Sequence, residues 1–185
     1  MSAAVTRPRC PIRHIALVGL MGVGKTTVGR LLAGALHWSF ADSDAAIEAR
    51  EGASVREIQR RHGAPALHAL EAAVLLEALG EPGPSVICAA ASTIEEERCR
   101  RALGQPDVRV VWLSATLETM VARYDRDPHR PRYDEGTRGA LAAQLAARAA
   151  LYTSVAAMTI ESDALAPAAI AAAIEQQAAG WAAPG

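Results

Sequence analysis

The residues Gly19-Leu20-Met21-Gly22-Val23-Gly24-Lys25-Thr26-Thr27 follow the apolar run Ile15-Ala16-Leu17-Val18 and open into a segment with helical periodicity. A loop of form GxxxxGKT binds phosphate because its glycines let backbone N–H groups turn inward around the anion. Lys25 would reach the β and γ oxygens, Thr26 would coordinate Mg²⁺, and Gly22, Val23, Gly24 and Thr27 would complete the cradle at the positive end of the following helix. A plain glycine-rich turn is the alternative. The strand, loop and helix that the motif demands are all present, which favours the phosphate loop.

Asp42-Ser43-Asp44 closes the second strand candidate. In open α/β sheets ligands lie outside the carboxyl ends of strands, so both carboxylates are expected to face the phosphate loop and an acceptor hydroxyl. Asp44 could equally cap a helix starting near Ala45. The stretch from Asp125 to Glu135, DRDPHRPRYDE, is polar, broken by proline and dense in arginine. It reads either as a solvated connection or, beside a phosphate loop, as a lid delivering a cation to a phosphoryl group in transfer.

These residues need a scaffold, and the chain supplies one by alternating short apolar runs with helix-period segments, the pattern of βα units around a parallel sheet. Strands are expected over Ile15–Gly19, Ser39–Asp42, Ser85–Ala90, Val108–Ser114 and Ala157–Glu161. Helices are expected over Lys25–Leu36, Asp44–Glu51, Val55–His62, Ala66–Gly80, Glu95–Leu103, Leu117–Arg126, Thr137–Val155 and Pro167–Gln177. Gly80-Glu81-Pro82-Gly83-Pro84 and Gly104-Gln105-Pro106-Asp107 stop helices before strands.

The length of 185 residues fits one domain with its own core. We expect a loose leader over residues 1–13, a single domain over 14–179 with a lid at about 125–136, and a tail over 180–185. A net charge of −1 and an aromatic content of 4% supply neither a basic face nor a stacking platform, which argues against nucleic acid as a partner. No apolar run approaches the length needed to span a bilayer. Cys10, Cys88 and Cys99 are scattered and odd in number, which fits a reducing, cytoplasmic setting.

Taken in order, the loop through Ala33, Phe40-Ala41-Asp42-Ser43-Asp44 with Ile47-Glu48, Ser54-Val55-Arg56-Glu57-Ile58, Gly63, Glu71, Val110-Val111-Trp112-Leu113, Arg123, Arg130-Pro131 and Arg148 before Leu151-Tyr152 resemble the shikimate kinase family. The resemblance implies an α/β P-loop kinase fold, a five-stranded parallel sheet sandwiched by helices. It implies a monomer that uses ATP and Mg²⁺ to phosphorylate a hydroxyl of shikimate or a related cyclic polyol. Lys25 and the loop backbone would hold the phosphates, Thr26 the metal, and Asp42 would support the metal through water. Asp44 would accept the acceptor hydroxyl's hydrogen bond or its proton, Arg130 would enter with the lid, Arg123 would lie against the adenine, and Arg148 would pair with the substrate's carboxylate.

The chain departs from the family's pattern on the acceptor side. Where the family has Phe-Arg-x-x-Glu, this chain has Leu67-His68-Ala69-Leu70-Glu71, so a charged carboxylate contact is replaced by a histidine. Glu71, three residues on, could hold His68 charged; His68 could also be an ordinary packed histidine. Three glycines expected after the third strand are Ala89-Ala90-Ala91, with Ala90 at the acceptor's approach, and a position requiring positive φ there would be strained by about 1 to 2 kcal/mol. Arg132 and Tyr133 replace leucines after Arg-Pro. Two alternatives remain open: a gluconate-type or nucleoside monophosphate kinase, and a non-catalytic ATP-binding metabolite sensor. The Gly-Asp-x-Leu-His stretch of gluconate kinases is missing, and retention of Lys25, Asp44 and Arg130 argues against a sensor.

Overall fold

A computed structural model describes residues 12–125 and 136–182. Five parallel strands, β1 (His14–Val18), β2 (Ser39–Asp42), β3 (Ser85–Cys88), β4 (Val108–Ser114) and β5 (Met158–Glu161), form one sheet in the order β2-β3-β1-β4-β5. β1 is central, with Ile15 opposite both Val86 and Arg109. Every residue of β1 and β3 is buried, as a continuous apolar run covered on both faces requires. The edge strands β2 and β5 are partly exposed.

Among the described residues, seven helices connect and cover the strands: α1 (Lys25–Leu36), α2 (Ser43–Glu51), α3 (Val55–Gly80), α4 (Glu97–Leu103), α5 (Leu117–Asp125), α6 (Thr137–Val155) and α7 (Pro167–Ala182). The main core gathers Ile15, Leu17, Leu32, Leu75, Ile87, Leu113 and Ile174. Trp112 stacks on Tyr152 with ring centroids 5.6 Å apart, tying β4 to α6. A second, smaller cluster of Ile47, Ile58, Leu67 and Val74 joins α2 to α3. That cluster fixes the two helices that carry Asp44, His68 and Glu71.

The expected α/β architecture is present, with local corrections. The two helices expected over 55–62 and 66–80 are both present and together make up α3, separated by a kink at Gly63 (φ 80°, ψ 167°) two residues before Pro65. Glycine accepts this combination of positive φ and extended ψ, and Pro65, which has no N–H to leave unpaired, fits the first turn of the helical run that resumes after it. The helix expected from Glu95 is a short 3-10 turn over Ala91–Glu95 followed by α4. Ala89–Ala91 carry no positive φ, since His37 is the one non-glycine with that geometry among the described residues. Ala90 sits at φ −63°, ψ 147°, so the strain that a positive φ would impose there does not arise and the loop takes an extended step into the 3-10 turn. α7 runs through Ala182, taking up part of the expected tail. The leader through residue 11 and the lid over 126–135, with Arg130, lie outside the described residues.

Candidate active site

The loop between β1 and α1 is held by three glycines with positive φ: Gly19 at 137°, Gly22 at 83° and Gly24 at 95°. A Cβ on Gly19 would overlap the Leu113 carbonyl oxygen of β4, and one on Gly22 would meet the Met120 carbonyl oxygen at 3.0 Å. Val23 is 1% exposed, so of this residue the backbone alone is available to a ligand. Gly24 precedes α1 without a side-chain cap, and no acid stands in the first turn. Those N–H groups and the helix dipole therefore point at a position suited to an anion. Lys25 folds back over the loop, donating from Nζ to the carbonyls of Gly19 (2.8 Å) and Leu20 (3.1 Å). Thr26 and Thr27 are exposed at the start of α1.

The carboxyl end of β2 delivers Asp42 beside this loop. Thr26 Oγ1 donates to Asp42 Oδ2 at 2.8 Å, and Asp42 Oδ1 accepts from the N–H groups of Asp44 (3.1 Å) and Ala45 (3.5 Å). Asp42, not Asp44, is the N-cap of α2, which begins at Ser43 rather than Asp44. The Asp44 side chain is thereby spared capping and lines the cleft. Ser43 anchors the turn by donating to the Cys88 carbonyl at 3.1 Å.

One cleft of about 570 Å³ runs from Lys25, Thr26 and Asp42 past Asp44 to His68, Glu71, Ala90 and Arg148. The structure thus brings together the residues expected to hold the phosphates and those expected to meet the acceptor. Arg123 donates from Nη1 to the Gly22 carbonyl (3.3 Å) and Ser162 Oγ (3.1 Å), and from Nη2 to the Ser162 carbonyl (2.9 Å). It joins the phosphate loop to the segment after β5, beside a smaller pocket of about 210 Å³ lined by Thr27, Leu165 and Ile170 among others. An apolar slot with a guanidinium at its wall suits a flat heterocycle.

On the acceptor side the charges differ from expectation. His68 is partly buried, and its pKa is lowered first by burial and then by Arg148, against opposing pulls from Glu95 and Glu96. It is therefore neutral at pH 7. Glu71 does not hold it charged, which corrects the sequence reading. Glu71 is 8% exposed and instead accepts a short hydrogen bond from Ser92 Oγ. Burial, with Asp44 nearby, pushes the Glu71 carboxyl up to about 7, against the Ser92 bond and the Arg148 and Lys25 charges. Arg148 is also engaged, donating from Nη2 to Glu95 Oε2 at 2.9 Å and from Nη1 to Gln144 Oε1 at 3.1 Å.

Ser92, Glu95, Gln144 and the cleft-lining Arg56 were not singled out as site residues in the sequence. Gln144 lies one helical turn before Arg148, a spacing that could have exposed it. Glu95 and Ser92 reach partners 53 and 21 positions away, and no local pattern announces such pairs. Among the described residues no cluster of three or more His, Cys, Asp or Glu could hold a metal, and no helix is long and apolar enough to cross a membrane.

The shikimate kinase family model matches residues 21–179. A shikimate kinase of Pseudomonas syringae pv. tomato is 39% identical over 154 residues, covering 82% of this chain and 88% of its own length. One of Vibrio parahaemolyticus serotype O3:K6 is 38% identical over 152 residues, with 82% and 87% covered. Among solved structures, shikimate kinase from Acinetobacter baumannii in complex with shikimate superposes with a TM-score of 0.85 at 35% identity, over 91% of this chain and 94% of that one. Shikimate kinase from Aquifex aeolicus shares the fold, with a TM-score of 0.77 at 24% identity. With a phosphate loop, a paired threonine and aspartate, and a cleft that continues to Arg148, the chain belongs to the shikimate kinase family, phosphotransferases that act on a hydroxyl group.

Proposed function

We propose that this protein binds ATP with Mg²⁺ at the loop after β1 and transfers the γ-phosphoryl group to a ring hydroxyl of shikimate. The observation that carries this reading is the single cleft shared by Lys25, Asp44 and Arg148. Phosphoryl transfer asks a protein for positioning and cation density more than for covalent participation. A cleft with phosphate donors at one end and polar acceptor contacts at the other answers that demand.

In this reading the loop N–H groups and the first turn of α1 hold the β and γ phosphates, and Lys25 exchanges its carbonyl contacts for phosphate oxygens. Thr26 Oγ1 and Asp42 Oδ2, 2.8 Å apart, make an oxygen donor set that suits Mg²⁺, a cation held by few protein groups plus substrate phosphates and water. Asp42 would act through water, and the bound metal would supply charge neutralisation. Asp44 takes the proton of the acceptor hydroxyl as its oxygen bonds to phosphorus. The bond from phosphorus to the β-bridging oxygen breaks, and ADP leaves. Arg123 packs against the base, Arg148 meets the acceptor's carboxylate, and His68 and Ala90 shape its pocket. Arg130, outside the described residues, is assigned from the sequence to stabilise the transferring group.

The test is ADP release with Mg²⁺ and ATP against shikimate, quinate, other cyclitols, gluconate and nucleoside monophosphates. Turnover with shikimate, abolished in Lys25→Ala and Asp44→Asn, is the expected outcome. Turnover confined to gluconate or a nucleotide would replace shikimate as acceptor. Silence with every acceptor, while ATP still raises the melting temperature, would turn the reading into a sensor.

A further inference from the structure

The guanidinium available to an acceptor's carboxylate already has an anionic partner. Arg148 is fixed inside the fold, its side chain 9% exposed, whereas its partner Glu95 is 44% exposed on the 3-10 turn after β3. Arg148 and Gln144 line the cleft, and Glu95 is outside the cleft lining. The two terminal nitrogens of Arg148 are aimed at different partners, Nη1 at Gln144 and Nη2 at Glu95. Its Nε is buried and has no hydrogen-bond partner among the described residues. A bidentate grip on a ligand's carboxylate needs two parallel donors from one edge of the fork. That edge is not available while Glu95 keeps Nη2.

The neighbouring charge does not make up the difference. His68, on the helix that also brings Arg56 to the cleft lining, is neutral at pH 7 for the reasons of burial and Arg148 proximity given above. A carboxylate arriving at Arg148 therefore meets a cation already paired with Glu95. Exchanging one carboxylate partner for another returns only the difference between two similar interactions, so a carboxylate on the ligand gains less than an unpaired guanidinium would give. Neutral polar groups lose nothing by the presence of Glu95.

We propose that Glu95 is a specificity-determining residue: it competes for Arg148 with the carboxylate of the acceptor and lowers the preference of the cleft for carboxylate-bearing over uncharged cyclic polyols. This inference rests on the reading that the acceptor binds beside Arg148. Glu95 acts through Arg148 and touches no reacting atom. Its half-exposed position allows it to swing to water when a ligand takes its place, at the modest cost that breaking a solvent-accessible ion pair carries.

The test compares the wild-type chain with Glu95→Gln and Glu95→Ala, using calorimetric binding and steady-state kinetics. The two ligands are shikimate and its uncharged carboxamide. Both substitutions should tighten shikimate, with Kd and KM falling by about 1.5- to fivefold, the range expected for releasing a partly exposed pair. kcat should change by less than about twofold, because the contact is equal in ground and transition states. Affinity for the carboxamide should stay the same. Weaker shikimate binding in both variants would show that Glu95 orients Arg148 for the ligand and would overturn the proposal, as would an equal gain for the carboxamide. Tighter shikimate binding without turnover in any variant would defeat the kinase reading and leave the role of Glu95 standing. Turnover with unchanged affinity in both variants would do the reverse.

Discussion

Thr26 donates its hydroxyl proton to Asp42 Oδ2 at 2.8 Å while the other oxygen of Asp42 caps α2. One carboxylate thus serves the expected metal position and the start of a helix. The two roles separate by substitution. Asp42→Asn retains a capping side chain but loses the charge, and should raise the Mg²⁺ concentration needed for half-maximal turnover with little effect on unfolding. Asp42→Ala should do both, costing in addition about 1 kcal/mol of stability from the lost cap. Mg²⁺ titration of the ADP-release rate, read beside urea unfolding, checks the pair.

The glycines of the phosphate loop are not equivalent. Gly19 has φ 137° and no room for a Cβ against the Leu113 carbonyl, while Gly24 has φ 95° and open space around it. Gly19→Ala combines overpacking with backbone strain and should lower stability by roughly 3 kcal/mol or more. Gly24→Ala should cost about 1 to 2 kcal/mol, from conformation alone. Equal melting temperatures for the two variants would contradict the close approach of the loop to β4.

Glu71 links burial to pH. Its folded-state pKa is raised to about 7 from 4.5, so between those values the folded chain keeps a proton that the unfolded chain releases. The stabilisation from neutral Glu71 is complete below the unfolded value and is lost as pH rises through the folded one. Glu71→Gln, which mimics the neutral acid, should be more stable than wild type at pH 8 by about 1 to 3 kcal/mol. The advantage should shrink towards zero as the pH falls from 7 to 4.5. Denaturant unfolding at pH 8 and pH 5 decides it, and a wild type as stable as the variant at pH 8 would exclude the buried-acid account.

His68 stands in the cleft uncharged at neutral pH. His68→Arg should restore a permanent cation and lower KM for shikimate roughly tenfold, the worth of one charge-assisted contact. The measurement is steady-state kinetics at pH 7.5 with shikimate as the varied substrate. An unchanged KM would mean that this position does not limit carboxylate recognition.

Much of the fold was legible because it rests on local signals. The apolar runs at residues 15–18 and 108–114 lie in buried strands, and Gly80 and Gly104 end α3 and α4. The Asp42–Asp44 turn was placed correctly at the carboxyl end of β2, while which aspartate caps the helix was left open. Either aspartate satisfies the statistics of a cap, and only the geometry of the turn assigns that role to Asp42. Where glycines are expected, a positive φ would strain Ala89–Ala91; the backbone there takes a conformation that alanine adopts freely, and this the sequence could not specify.

By itself the sequence determined the phosphate end of the cleft, because a loop that binds anions through its own backbone is specified by glycines, a lysine and a threonine within nine consecutive residues. It also determined the family, through motifs whose order along the chain carries the information. Tertiary structure decided the charge state of the acceptor end. A buried ionisable group takes its properties from whichever partners folding brings within reach, and these lie far away in sequence: Ser92 for Glu71, Arg148 for His68, and Glu95 for Arg148.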